Sequence, residues 1–285
     1  SSNRSPLAIF YQKNLHLQDF FLWLSKCHIK IGSLARKDLF IITEAYVFLV
    51  ILLSSFLQTT TGFGYAIITA PLLALVLSAK ETVMLVMLTA LIICVFLLRA
   101  TRNQGSFKAI APLLAASVIG AIPGAFVMTR MSNEGLKLFI GVLLLFVTVA
   151  LWKRYTFPVK PSKSIEAVVG FVSGFLTTTT GVTGPPIILY YLNAKAEENK
   201  IEFRANLARF FLLINLASVI LSYAAGSLRI GELWRYILIA VPALYAGFYL
   251  GEKMFYRISV PALRTGSLVM IFLSSVAIIW SVLSN

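Results

Sequence analysis

Two short stretches place threonine hydroxyls next to glycine-rich backbone within otherwise apolar sequence. They are Gln58–Gly64 (QTTTGFG) and Thr177–Pro186 (TTTTGVTGPP). Glycine lets backbone approach a ligand closely, and a helix that begins after such a break presents unpaired N–H groups and a positive dipole end. Threonine hydroxyls add neutral donors, and Pro185 and Pro186 suit the first turn of a helix. This chemistry favours binding of an anion by dipoles, as at other helix N-termini.

The two stretches, called the breaks below, occupy matched positions. Gly62 and Gly181 are 119 residues apart, as are Pro123 and Pro242. The shared spacing predicts one unit written twice, with the two breaks meeting near the membrane midplane to form the site of a transported substrate. A single such break would be explained equally well by close helix packing, which glycine and threonine promote in membranes.

Composition identifies the class of protein. The chain has 285 residues, of which 59% are hydrophobic and 13% are charged, whereas about a quarter of the residues in soluble domains are charged. We therefore expect a polytopic membrane protein. The net charge of +14 comes from cations between the apolar segments and in the N-terminal arm, which favours membrane topology over nucleic-acid binding. Both histidines, His16 and His28, lie in that arm, so no metal or other cofactor is expected.

The fold class predicted is an all-α polytopic membrane protein with two homologous repeats of about five helical segments each. Broken or re-entrant helices would meet near the midplane, giving eight to ten helices. A lipid-exposed break is not tolerated, so the breaks must be buried or line a wet cavity. The apolar segments are 41–58, 64–79, 82–99, 108–128, 135–152, 165–177, 184–194, 206–225, 233–250 and 262–282.

Four regions follow from this pattern. Residues 1–40 form a basic amphipathic arm, 41–153 the first repeat, 154–163 a cytoplasmic linker and 164–285 the second repeat. The topology stays open at this point. A re-entrant hairpin plus three spans in each half would make the repeats inverted, whereas four crossings in each half would make them parallel. The basic arm favours the parallel arrangement, and broken helices in transporters favour the inverted one.

Three motifs resemble one family. Thr61–Gly64 followed by an apolar run to Pro71, Thr180–Pro185 followed by another apolar run, and Phe203–Asn206 opening an apolar segment are similar to the TauE/SafE sulfite-exporter family. The resemblance covers about residues 42–283. It implies a permease of the inner (cytoplasmic) membrane for a small sulfur-containing anion such as sulfite, sulfoacetate or a related organosulfonate.

Polar side chains in the segment after the second break complete the predicted site. Arg204 enters an apolar segment with a planar fork of donors suited to an oxyanion, although a snorkelling interfacial arginine is the commoner case. Arg209 is a second candidate, while Asn206 and Asn215 suit either hydrogen bonding to substrate or helix bridging. The predicted substrate-binding residues are Gln58, Thr60, Thr61, Gly62, Gly64, Thr179, Thr180, Gly181, Thr183, Gly184, Pro185 and Arg204.

The predicted function is export of such an anion by a secondary transporter. An anion channel or a membrane sensor subunit is the alternative, and an intramembrane enzyme is disfavoured because the apolar segments hold no histidine and no mid-membrane carboxylate. Glu44 and Glu166 begin equivalent segments and are candidates for ion coupling. The expected partners are the anion and membrane lipids, without nucleic acid, and a homodimer is compatible with the sequence.

Overall fold

The computed structural model describes residues 36–102, 104–152, 162–194, 200–226, 230–255 and 260–284. Most of the predicted arm and linker therefore lies outside the described residues. The regular structure in these ranges is helical, which agrees with the predicted all-α class. The helices are α1 (Arg36–Thr61), α2 (Tyr65–Ala74), α3 (Ala79–Ala100), α4 (Phe107–Arg130), α5 (Asn133–Trp152), α6 (Lys163–Thr180), α7 (Gly184–Ala194), α8 (Lys200–Ala224), α9 (Ile230–Met254) and α10 (Val260–Leu283).

Five stretches of helix are long and apolar enough to cross a membrane: Ile41–Thr61, Ala79–Ala100, Phe107–Arg130, Ile201–Ala224 and Leu233–Met254. They are the spans expected of a polytopic membrane protein. The chain divides into two units, Ser1–Tyr46 and Val47–Asn285. Every contact described below lies within the second unit.

The two breaks are set by glycines with positive φ. Helix α1 ends before Gly62, whose φ is +84°, and α6 ends before Gly181, whose φ is +75°; Gly64, at +106°, precedes α2. Such φ values strain any residue with a Cβ. The preceding threonines are helical up to Thr61 and Thr180, so the interruption is shorter than the sequence patterns suggested.

Helix α7 folds back beside α6. The Tyr190 hydroxyl on α7 donates a hydrogen bond of 2.7 Å to the Glu166 carboxylate in the first turn of α6. If α7 continued in the direction of α6, roughly 30 Å of helix axis would separate these residues. The bond therefore requires a helical hairpin whose tip is the Gly181–Thr183 break.

Glycines bring two pairs of helices into backbone contact. On α6, a Cβ at Gly174 would overlap the Ser117 carbonyl of α4, and the Ser117 hydroxyl donates to the Gly170 carbonyl at 2.8 Å. On α9, a Cβ at Gly247 would overlap Ser55 of α1, whose hydroxyl donates to the Leu244 carbonyl at 3.3 Å. Small residues allow this close approach in a membrane, where packing replaces hydrophobic association.

The loop between α3 and α4 is tied to the beginning of α8. The Ser106 N–H donates to the Asn206 side-chain oxygen at 2.8 Å, and a Cβ at Gly105 would overlap that same amide. The beginnings of α4 and α8 therefore lie close together.

The close α4–α6 contact gives the first prediction. Replacing Gly174 with Ala should lower the free energy of unfolding by about 1–3 kcal/mol, because the methyl group must push two helices apart. Thermal unfolding of the purified protein measures this. Gly231→Ala is the matched control, since a Cβ at Gly231 meets nothing within 4 Å. Equal melting temperatures for Gly174→Ala and the wild-type protein would contradict the packing described.

Candidate anion-binding cavity

One small cavity is lined by residues from both breaks. Its volume is about 20 Å³, which is room for about one water molecule. Helices α3 and α8 supply the remaining walls. The lining residues are Gln58, Gly64, Tyr65, Ala66, Ile67, Ala90, Ile93, Cys94, Thr183, Gly184, Phe211 and Asn215. Four of the predicted site residues, Gln58, Gly64, Thr183 and Gly184, thus meet at one point.

Gln58 holds the first break together. Its side-chain oxygen accepts from the Tyr65 N–H at 2.9 Å, and its side-chain nitrogen donates to the Gly62 carbonyl at 3.4 Å. Gln58 is only 2% exposed, so these bonds are made away from bulk water. One of the N-terminal N–H groups of α2 is therefore satisfied within the protein rather than offered to a ligand.

Two further N–H groups at the beginning of α2 remain. Gly64 forms no side-chain cap, and the first turn of any α-helix has N–H groups without intrahelical partners. Ala66 and Ile67, the second and third residues of α2, both line the cavity. Their N–H groups and the positive end of the α2 dipole are thus the donors that the first break contributes.

The second break contributes fewer backbone donors. Helix α7 begins at Gly184 and continues with Pro185 and Pro186, which have no N–H. The Val182 N–H donates to the Thr180 hydroxyl at 3.2 Å. Gly184 therefore supplies the first N–H of α7. A Cβ at Gly184 would lie 3.3 Å from the Ile67 side chain, so glycine also lets the beginning of α7 lie close to α2.

Most of the predicted threonine donors are engaged within their own helices. The hydroxyls of Thr60, Thr61, Thr179 and Thr180 donate to main-chain carbonyls three or four residues earlier in the chain. A hydroxyl has one proton to donate, so in this conformation these four offer lone pairs rather than protons. None of the four lines the cavity.

Thr183 differs from these four threonines. It lies between Gly181 and α7, is 3% exposed and lines the cavity. Its hydroxyl forms no hydrogen bond with another described residue. Thr183 is therefore the break threonine whose proton is available to a ligand in the cavity.

Helix α8 adds a polar side chain that the sequence left between two interpretations. The Asn215 amide nitrogen donates to the Phe211 carbonyl at 2.7 Å, within the same helix. Its side-chain oxygen is buried and has no hydrogen-bond partner among the described residues. Asn215 thus lines the cavity, and its oxygen makes no hydrogen bond to another described helix.

Arg204 lies at the first break but outside the cavity lining. It is 4% exposed, and its Cγ would lie 3.4 Å from a Cβ on Gly62. The guanidinium pairs with the Glu252 carboxylate of α9, and its Cζ lies 4.7 Å from the centre of the Phe255 ring. Gly62, Gly181 and Pro185 likewise do not line the cavity, so they shape the breaks or flank them.

The sequence patterns missed the walls of the cavity. Tyr65, Ile93, Cys94 and Phe211 carry no motif and lie in ordinary apolar runs. Their only signal is position, since Tyr65 begins the helix after the first break and Phe211 is seven residues beyond Arg204.

Comparison with protein families matches residues 47–278 to the family described as "Sulfite exporter TauE/SafE". No curated protein and no solved structure matches the chain.

The position of Gln58 gives a second prediction. Gln58→Leu should lower the free energy of unfolding by about 1–3 kcal/mol, because the buried Tyr65 N–H and Gly62 carbonyl lose their partner. Thermal unfolding in detergent measures the loss, and Gln104→Leu, at an exposed loop position, is the matched control. If both variants unfold at the same temperature, Gln58 does not hold the break together.

Proposed function

The matched region is most of the chain, so the protein belongs to the sulfite exporter TauE/SafE family of membrane transporters, and we propose that it exports a small sulfur-containing anion across the cytoplasmic membrane. Sulfite, sulfoacetate and related organosulfonates are the substrate class. The observation that carries the proposal is the cavity lined by residues of both breaks.

The donors around the cavity suit an oxyanion. The N–H groups of Ala66, Ile67 and Gly184, together with the Thr183 hydroxyl, approach the cavity from two helix N-termini. Dipoles at such termini stabilise negative charge, and three oxygens of a sulfite or sulfonate group would accept several of these bonds at once. Among the described residues no lysine or arginine lines the cavity, so binding by partial charges would be weak enough for release.

The size of the cavity favours alternating access. Room for about one water is less than a four-atom oxyanion needs, so α2 and α7 must separate to admit the substrate. The described conformation then corresponds to a closed one, from which either side of the membrane is reached by moving one break relative to the other.

Two observations support two homologous repeats. Residues Ser54–Gly62 (SSFLQTTTG) and Ser173–Gly181 (SGFLTTTTG) differ only at their second and fifth positions. The helix contacts also match. A Cβ at Gly120 or Gly124 would meet the Phe171 or Phe175 carbonyl, and a Cβ at Gly247 or Gly251 would meet the Leu52 or Phe56 carbonyl.

The contacts of these glycines give a spacing between corresponding helices that differs from the spacing of the breaks. Gly120 and Gly247 are 127 residues apart, as are Gly124 and Gly251, whereas the carbonyls that they contact are 119 residues apart. Pro123 and Pro242 therefore lie in corresponding helices, α4 and α9, but at different positions along them. Their shared spacing with the breaks is coincidental in this alignment.

The repeats are inverted in our proposal. The α6–α7 hairpin enters and leaves on one face, so three helices of the second half, α8, α9 and α10, cross the membrane. An odd number of crossings per half inverts the second repeat. The Ser106–Asn206 bond supports this, because α4 and α8 begin on the same face only in the inverted arrangement.

The cations support placing that shared face in the cytoplasm in our proposal. It carries Arg99, Arg102 and Lys108, at and beside the α3–α4 loop, and Lys163 at the beginning of α6. Cytoplasmic loops are enriched in Lys and Arg.

The proposed site makes a paired prediction. Thr183→Val should weaken sulfite binding about tenfold, because it removes the available hydroxyl at nearly constant size, and one hydrogen bond to a charged group contributes about 1.5–3 kcal/mol. Thr180→Val should leave binding nearly unchanged, because that hydroxyl already donates to the Leu176 carbonyl at 2.7 Å.

Binding is read from the rise in melting temperature with sulfite, sulfoacetate, sulfate, phosphate, acetate and taurine, since a ligand of the folded form raises its stability in proportion to RT ln(1 + [L]/Kd). No shift with any sulfur anion would contradict the substrate class. A loss in Thr180→Val with no loss in Thr183→Val would contradict the geometry of the site.

A further inference from the structure

Arg204 is a buried cation whose donors are only partly used. It is 4% exposed, while the side chain of its partner Glu252 is 34% exposed. Glu252 pairs with Nη2, and Nε is buried without a hydrogen-bond partner among the described residues. A buried charged donor left unsatisfied is costly, which singles out this edge of the guanidinium as a place where a better acceptor would gain binding free energy.

One oxyanion could accept hydrogen bonds from both Nε and Nη2 of Arg204. Nε and Nη2 point their N–H groups from the same edge of the planar guanidinium, the geometry that binds two oxygens of one carboxylate, phosphate or sulfonate. Glu252 engages only one of them. The flat face of the guanidinium packs on the Phe255 ring, which leaves the edge as its means of binding an anion.

The stem of Arg204 connects this edge to the first break. Its Cα, Cβ and Cγ all lie within 3.6 Å of a Cβ position on Gly62. Gly62 is held in turn by Gln58, which lines the cavity. The corresponding contact at the second break is made by Val86 and the Val83 carbonyl with Gly181, so the charged group is present at one break and absent at the other.

Two cations near the pair in the sequence, Lys253 and Arg209, lie against other groups. The Lys253 ammonium, next to Glu252 in the chain, lies 4.3 Å from the centre of the Tyr249 ring. A Cβ on Gly105 would lie 2.9 Å from the Arg209 Nη1, which places that guanidinium at the α3–α4 loop.

We propose that Arg204 is a second anion site, outside the cavity, at which a sulfite or sulfonate group displaces the Glu252 carboxylate and binds Nε and Nη2 together. Glu252 acts there as an internal competitor of the substrate. The site lies where α8 begins and α9 ends, the face assigned above to the cytoplasm. The identity of the anion rests on the proposed function, whereas the site itself rests on the Arg204 geometry.

Glu252→Gln tests the competition. Removing the carboxylate should tighten sulfite binding about threefold or more, because a buried arginine without its partner gains most from an added anion. It should also enlarge the rise in melting temperature that sulfite produces, measured at constant chloride. Glu134→Gln, at an exposed helix-end carboxylate, should change neither. Unchanged or weaker sulfite binding in Glu252→Gln would overturn the proposal.

A charge swap separates a binding role from a structural one. Arg204→Glu with Glu252→Arg should restore the melting temperature toward wild type, since the pair is remade, yet weaken sulfite binding at least about tenfold, because the cation no longer lies against Gly62. Restoration of both stability and sulfite affinity would overturn the site. This variant also decides the matter if Glu252→Gln does not fold.

Failure of this site is distinguishable from failure of the proposed function. Suppose that sulfite stabilises the wild-type protein, that Thr183→Val weakens sulfite binding, and that the charge-swap variant binds sulfite with wild-type affinity. Only the Arg204 site is then wrong. If no sulfur anion stabilises the wild-type protein, the proposed function and this inference both fail.

Discussion

The rest of this structure depends on one constraint, which is that backbone polar groups at a break in a membrane helix must find partners without lipid or bulk water. The protein satisfies part of that demand internally. Gln58 accepts from the Tyr65 N–H, and Thr60 and Thr180 donate to carbonyls of their own helices. At the cavity, the groups that remain unsatisfied are the N–H groups at the beginnings of α2 and α7, the Thr183 hydroxyl and the Asn215 side-chain oxygen. The candidate site is this remainder.

The same constraint explains the composition of the breaks. Positive φ at Gly62, Gly64 and Gly181 turns the chain sharply, and Pro185 and Pro186 begin α7 without N–H groups that would need partners. Two sharp turns with few unsatisfied donors can be buried against each other. The glycine contacts of α4 with α6 and of α9 with α1 then fix the helices that carry the breaks.

Sequence alone predicted the features that glycine and composition determine. The breaks at Gly62 and Gly181, the helical class and the family all follow from local residue types. Which threonine hydroxyls have a free proton could not be predicted from residue type. Thr180 and Thr183 are both threonines, three positions apart, but Thr180 is the last residue of α6 and donates to a carbonyl of that helix, whereas Thr183 follows the helix. The pairing of Arg204 with Glu252, 48 residues later, also needed the fold, since no local pattern joins them. Cys94 and Phe211 are apolar-run residues whose place at the cavity is a consequence of helix packing.

Binding of an anion between the two breaks is tested most directly by an electron cryo-microscopy structure of the protein with sulfite. We expect density in contact with the Ala66–Ile67 backbone of α2 and with Thr183 and Gly184, and we expect α2 and α7 to lie farther apart than in the present structure. Density held by one break alone, or by Lys and Arg residues at the surface with the cavity unchanged, would contradict it.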